Sequence, residues 1–272
     1  MSNNDFGINK TRNSGKNIQT RFYLNFTVFT TGKSFFDKMP TKSLVLTVAR
    51  HGETDANKEG RLQGQMDTFL NEFGMRQAKA AGKALKDVTF HQAYTSDLER
   101  ANKTCQIIVD ENKSPAITSE QIIQDELIKE RNFGEFENKL VSERQAMVKA
   151  ANPNSENMNF FDFTPKTGES RETVRKRARE FLTTVVAKNV ELDAESPSVL
   201  MVSHGGLIRE LYVVIFDELR CDFPTATKPG DHERIINTSW SRFILEICMD
   251  TLDIKTIRCE VLGNSDHLNG LE

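Results

Sequence analysis

The sequence predicts an α/β fold, a three-layer α/β/α sandwich with a mostly parallel central sheet, and three observations predict it. Strand-like and helix-like segments alternate along the chain, with no internal repeat. Two runs, residues 44–49 and 198–203, are almost continuously apolar and β-favouring, as strands covered on both faces are. Each run empties into a turn bearing a histidine and a glycine, and α/β sheets bind ligands at the carboxyl ends of their strands.

The elements follow in order. Residues 44–49 (Leu-Val-Leu-Thr-Val-Ala) are the first strand, and a polar, Gly-bearing stretch runs over residues 50–71. Met75, Ala78, Gly82 and Leu85 fall at spacings that place them on one helical face. Residues 93–96 form a short strand. Ser96-Asp97-Leu98-Glu99 then has the form of a capping box, with Ser96 as N-cap. Leu98, Ala101, Cys105 and Ile108 are the apolar stripe of the helix it opens, and Val174, Ala178, Phe181 and Val185 mark another. Residues 198–203 are the second buried strand, followed by an apolar helix over residues 207–216. Residues 241–249 and 254–261 read as late strands joined in a hairpin. Residues 152–168, rich in Asn, Pro, Phe and Ser, read as a long loop of the kind that serves as a functional lid.

Composition narrows the function classes. The chain has 272 residues, 38% hydrophobic and 28% charged, with a net charge of −3, so there is no general cationic excess to bind nucleic acid. No apolar run approaches the ~18 residues of a membrane span. Cys105, Cys221, Cys248 and Cys259 are scattered without a CxxC pair, which argues against a disulfide framework or a zinc site and for a cytosol-like compartment. The charge is uneven. Residues 1–42 hold seven basic and two acidic residues, a net of +5, which leaves −8 on the remainder. We read residues 1–42 as an extension, either disordered or a mitochondrial address, and residues 43–272 as one domain. Oligomeric state leaves no mark in the sequence.

The chemistry gathers at the two strand ends, in Arg50-His51-Gly52-Glu53-Thr54 and Ser203-His204-Gly205-Gly206. Glycines beside each histidine, Gly205 among them, let the backbone approach a ligand closely. Asn57 and Gln63 follow in the first loop, and Arg100 opens the helix after the third strand. Two arginines, two histidines and an asparagine suit one tetrahedral anion, because guanidinium forks match phosphate oxygens. A neutral imidazole can attack phosphorus and split one displacement into two.

These segments resemble the motifs of the histidine phosphatase superfamily, which includes the phosphoglycerate mutases. Arg50-His51-Gly52-Glu53-Thr54 is similar to its signature, and residues 96–101 to its second arginine motif. Residues 127–134 (Leu-Ile-Lys-Glu-Arg-Asn-Phe-Gly) resemble its acid motif, and Gly168-Glu169-Ser170 and residues 202–205 complete the set. The match covers about residues 44–262. Residues 142–151, Phe163-Thr164-Pro165 and the ending Asp266-His267-Leu268-Asn269-Gly270-Leu271 are similar to the TIGAR-type fructose-2,6-bisphosphatases. Two departures stand out: a Glu-Gly of that family is Glu137-Asn138 here, and residues 188–197 are short where vertebrate members carry an insertion.

The resemblance implies a phosphoric monoester hydrolase that acts on a small phosphorylated metabolite, fructose 2,6-bisphosphate first, and thereby restrains glycolysis. It implies His51 as the nucleophile that becomes phosphohistidine, and Arg50, Arg100 and His204 as holders of the phosphoryl oxygens. Asn57, Gln63 and Gly205 bind substrate, Glu130 is the general acid, and no metal or other cofactor takes part. The alternatives are a phosphoglycerate mutase or 2,3-bisphosphoglycerate phosphatase, and a non-catalytic adaptor on the same fold, which the intact nucleophile and arginines disfavour.

Other polar residues have plainer readings. Glu53 is an acid–base group or an orienting hydrogen-bond partner. His91 and His232 read as surface residues, and His267 belongs to the tail motif without a catalytic role. Arg171, Arg175, Arg177 and Arg179 read as a solvated helix face, with Arg171 or Arg175 able to reach a second substrate phosphate. Asn237-Thr238-Ser239 reads as a segment that orients the site.

Overall fold

Six strands, β1 (Thr41–Arg50), β2 (Gln92–Thr95), β3 (Ile123–Gln124), β4 (Ser198–Ser203), β5 (Trp240–Cys248) and β6 (Ile254–Asn264), make one sheet in the order β3-β2-β4-β1-β5-β6. The structure is a computed structural model that describes residues 39–112, 117–151, 160–221 and 235–271. The pairs β2–β3, β2–β4 and β1–β4 are parallel, while β5 runs antiparallel to both β1 and β6. The sheet is therefore mixed, parallel on one side of β1 and antiparallel on the other, where the late hairpin β5–β6 adds on. The predicted extension lies outside the described residues as far as residue 38, and β1 already begins at Thr41.

The helices cover both faces. They are α1 (Asp55–Lys58), α2 (Glu72–Ala84), α3 (Glu99–Asn112), α4 (Val141–Ala151), α5 (Arg171–Asn189) and α6 (Gly205–Tyr212), the last running on into a π-helical turn, Val213–Glu218. The two-residue period of β4 separates the core. Val199 and Met201 join Val174, Ala178, Phe181 and Val185 of α5 and Leu207 and Leu211 of α6. Leu200 and Val202 face the other way, onto Ala81 of α2 and Ala101, Cys105 and Ile108 of α3. These side chains are essentially inaccessible. Burying each Val, Leu or Phe contributes roughly 1.5–3 kcal/mol. All four cysteines are free and buried. Among the described residues no helix is long and apolar enough to cross a membrane.

The structure departs from the sequence reading in three places. Met75 is off the buried face of α2 and substantially exposed; Gly74, Gln77, Ala78 and Ala81 face inward instead. Gly74 packs so closely on the Glu53 backbone that any side chain there would collide with it. Ser96 is also not the N-cap of α3, which begins at Glu99. Its hydroxyl accepts from the Leu98 amide, whereas the Glu99 amide donates to the carboxylate of Asp67, 32 residues earlier, at 2.8 Å. The third departure is α4, a helix with one buried residue and no apolar stripe for periodicity to detect. Of the predicted lid, residues 152–159 lie outside the described residues. Beyond them, Phe160 and Phe163 pack against Phe133, Phe136 and Val148.

Candidate active site

Strand register assembles the site. Arg50, the last residue of β1, lies beside Ser203, the last residue of β4, and the His51 amide donates to the Ser203 carbonyl at 2.9 Å. The next residue of each strand is therefore a histidine beside the other. Their ring centroids are 5.1 Å apart, and both side chains are buried.

His51 Nδ1 lies 2.7 Å from the Gly52 carbonyl, which can only accept, so Nδ1 carries the proton and Nε2 keeps its lone pair. Neither ring nitrogen of His204 has a hydrogen-bond partner among the described residues. Burial pushes both imidazoles well below the usual histidine range, and the guanidiniums of Arg50 and Arg100 push them further down. Both rings are accordingly neutral near pH 7, the form that a nucleophile needs.

The two sequence-predicted arginines are anchored by backbone carbonyls. Arg50 Nη1 donates to Ile235 O at 2.9 Å, and burial lowers its pKa to about 10 against the opposing pull of Glu130. Arg100, only 1% exposed, is wrapped by the preceding loop: it donates to Met66 O and Gly64 O, both at 2.7 Å. Nε of each arginine has no partner among the described residues. These fixed cations are ready to receive an anion without reorganisation.

Glu130 stands on the same cleft. Its carboxylate accepts from the amides of Arg131 at 2.7 Å and Gly206 at 3.1 Å. A side chain at Gly206 would strike that carboxylate, which explains the second glycine after His204. Asn57 Oδ1 is occupied by Thr54 and Asn237, and Gln63 Oε1 by Thr54 and Thr68. Each amide therefore keeps its NH2 as the donor for a ligand. Arg50, His51, Asn57, Gln63, Arg100, Glu130 and Gly205 all line one cleft of about 250 Å³, while His204 sits behind it with no exposed surface.

Sequence reasoning missed three more arginines on this cleft, Arg61, Arg144 and Arg209. Arg144 belongs to the helix that periodicity did not reveal, and Arg209 lies one turn beyond His204 on α6. Conversely, Arg171 and Arg175 are not on the cleft. They hold the buried carboxylate of Glu210, at 2.5 Å and 2.9 Å, so the reading of either as a second phosphate ligand is corrected. Arg177 and Arg179 pair with Glu169 and Glu218. Glu53 accepts from Asn71 Nδ2 at 2.9 Å and lies off the cleft, an orienting role. His91 Nδ1 accepts from the Ser198 amide, a structural bond. His232 lies outside the described residues.

The Asn237-Thr238-Ser239 segment does orient the site. Asn237 Nδ2 donates to His51 O at 2.9 Å, and the Thr238 amide reaches Arg50 O at 3.1 Å. Asn138, where the resembling family has glycine, has φ 63°, a left-handed conformation that Asn tolerates better than most residues. Among the described residues no group of three or more His, Cys, Asp or Glu side chains is gathered as a metal ion would need.

The buried neutral histidines set a stability prediction. An unfolded chain takes up a proton at each histidine near pH 6.5, and the folded site does not until much lower pH. Unfolding then binds protons in that window, so stability falls as pH drops below about 6.5, by up to ~1.4 kcal/mol per unit for each histidine, and levels off above it. Urea unfolding of His204→Phe should show a shallower acid slope than the parent. An equal slope would contradict the assignment.

Comparison with known proteins gives consistent matches. The family model of the histidine phosphatase superfamily (branch 1) matches residues 46–232. Fructose-2,6-bisphosphatase TIGAR of Mus musculus is 33% identical over 268 residues, covering 83% of this chain and 96% of the mouse protein. A mycobacterial glucosyl-3-phosphoglycerate phosphatase structure superposes with TM-score 0.63 at 28% identity, over 83% of this chain and 100% of the other. Phosphoglycerate mutase from Bacillus anthracis shares the fold, with TM-score 0.68 at 23% identity, over 84% and 96% of the two chains.

Proposed function

The chain belongs to the histidine phosphatase superfamily, and from that membership we propose that it hydrolyses small bisphosphorylated metabolites, fructose 2,6-bisphosphate first, through a phosphohistidine at His51. The observation that carries this reading is the neutral His51 imidazole with a free Nε2, set beside two buried, carbonyl-anchored arginines. The name of the mouse relative supports the choice of fructose 2,6-bisphosphate.

In the first step the Nε2 lone pair attacks phosphorus, and the bond from phosphorus to the ester oxygen breaks. Glu130, entering as the carboxylic acid, gives its proton to that departing oxygen. Arg50 and Arg100 face the charge spread over the three remaining phosphoryl oxygens, with Asn57 and Gln63 as neutral donors. The Nδ1–H bond to Gly52 O spreads the positive charge that the ring acquires. In the second step the Glu130 carboxylate takes a proton from water, the resulting hydroxide attacks phosphorus, and the P–N bond breaks. Inorganic phosphate leaves with His51 neutral and Glu130 protonated again.

A second anion on the substrate has a receiver in Arg144. Its guanidinium lies over the Phe160 ring at 4.9 Å, and its buried Nε has no partner among the described residues. Removal of a charge-assisted contact costs about 1.5–3 kcal/mol, or roughly ten- to a hundredfold in affinity. Arg144→Gln is therefore expected to raise KM for fructose 2,6-bisphosphate by about that factor and to leave p-nitrophenyl phosphate, with one anion, nearly unchanged. An equal effect on both substrates would contradict the role. A phosphate-release panel of fructose 2,6-bisphosphate, 2,3-bisphosphoglycerate, phosphoglycolate and fructose 1,6-bisphosphate tests the function itself. We expect the highest kcat/KM on the first, whereas isomerisation of 3-phosphoglycerate without phosphate release would point to a mutase.

A further inference from the structure

We infer that His267, in the C-terminal tail, is a positioning residue for the nucleophile and acts through Thr238; this rests on His51 being the group that takes the phosphoryl. Thr238 is fully buried and has φ 58°, a conformation that β-branched residues rarely adopt. Its amide donates to the carbonyls of Arg50 at 3.1 Å and His51 at 3.3 Å, the two consecutive residues that present a cation and the nucleophile. A backbone held in so unfavourable a state persists only where its surroundings fix it. The side-chain bond that fixes this one comes from His267, whose Nε2 is 3.0 Å from Thr238 Oγ1.

His267 is itself held in a short 3-10 turn, Asp266–Leu268, that follows β6 and packs on α2. Its Nδ1 is buried without a partner among the described residues, so its one side-chain bond is the one to Thr238. The link is thus a single file: tail turn, His267 ring, Thr238 hydroxyl, Thr238 amide, His51 carbonyl. The His51 ring is in turn tied to the next carbonyl, that of Gly52, so a shift of this backbone re-aims Nε2. Phosphoryl transfer is steep in that aim, because misplacement by about 1 Å can cost a hundredfold.

Steady-state and burst kinetics with p-nitrophenyl phosphate test the link. His267→Ala is expected to lower kcat about tenfold while KM stays within about twofold, since the guanidiniums of Arg50 and Arg100 keep their own anchors on the Ile235, Met66 and Gly64 carbonyls whatever the aim of Nε2. His267→Gln, whose amide end reaches the place of Nε2, should restore most of the rate. Thr238→Val should repeat the loss, and the double variant should be no slower than either single one. An unchanged kcat in His267→Ala, a loss confined to KM, or losses that multiply in the double variant would each overturn the inference. Should His267→Ala fail to fold, Thr238→Val carries the test alone, with the same kcat loss expected and an unchanged kcat overturning it. A wild-type chain without turnover would remove the phosphatase reading and the inference built on it together, whereas turnover indifferent to His267 counts against the positioning role only.

Discussion

His51→Ala is expected to bring phosphate release down by about 10⁵-fold or more, because it deletes the group on which a two-step mechanism turns. His204 does not substitute for it. That ring sits behind the cleft with no exposed surface, and among the described residues its nitrogens have no partner to set a tautomer. The fold should persist. His51 makes one local side-chain bond, to the adjacent Gly52 carbonyl, while its backbone bond to Ser203 is independent of the side chain. The change in stability should stay within about 2 kcal/mol. Phosphate release and thermal unfolding measured on one preparation check both halves. Substantial turnover by a folded variant would contradict the nucleophile.

Glu130→Gln is expected to lower kcat on a sugar phosphate by about 10²- to 10⁴-fold, the range for loss of a positioned general acid and base. Glutamine can keep only part of the geometry. The carboxylate accepts from the amides of Arg131 and Gly206 on its two oxygens, and an amide offers one oxygen for those two bonds. The two steps should respond differently. p-Nitrophenolate leaves without protonation, so phosphorylation of His51 by p-nitrophenyl phosphate should survive while hydrolysis of the phosphoenzyme slows. A burst of p-nitrophenol followed by a slow steady state is the expected trace. Equal slowing of burst and steady state would contradict the dual role of Glu130.

Much of this was legible in the sequence because the signals are local. β4 is buried at every position, so its residues read as an unbroken apolar run, and the stripe on α5 is buried at all four of its predicted positions. The histidines and Arg50 were legible because each sits at a strand end, where chain direction alone delivers it to the ligand. What escaped depends on long-range contact. Asp67 caps α3 from 32 residues away. The arginines of α5 look like a solvated face until Glu210, 35 to 39 residues later, is seen to fold beneath Arg171 and Arg175. Arg144 rides a helix with almost no buried face, so nothing in the periodicity of residues 141–151 placed it on the cleft. Thr238 was legible only as part of a segment that orients the site; its dihedral and its bond to the tail show how it does so.

The central claim is a covalent phosphoryl group on His51, and the most direct measurement is to trap it. Enzyme mixed with p-nitrophenyl phosphate, quenched in alkali within one turnover and digested, should yield one phosphopeptide containing His51. The label should be stable to base and lost in acid, as a phosphoramidate is, and Glu130→Gln should accumulate more of it than wild type. Label on another residue, or full turnover with no phosphopeptide in either protein, would contradict the account.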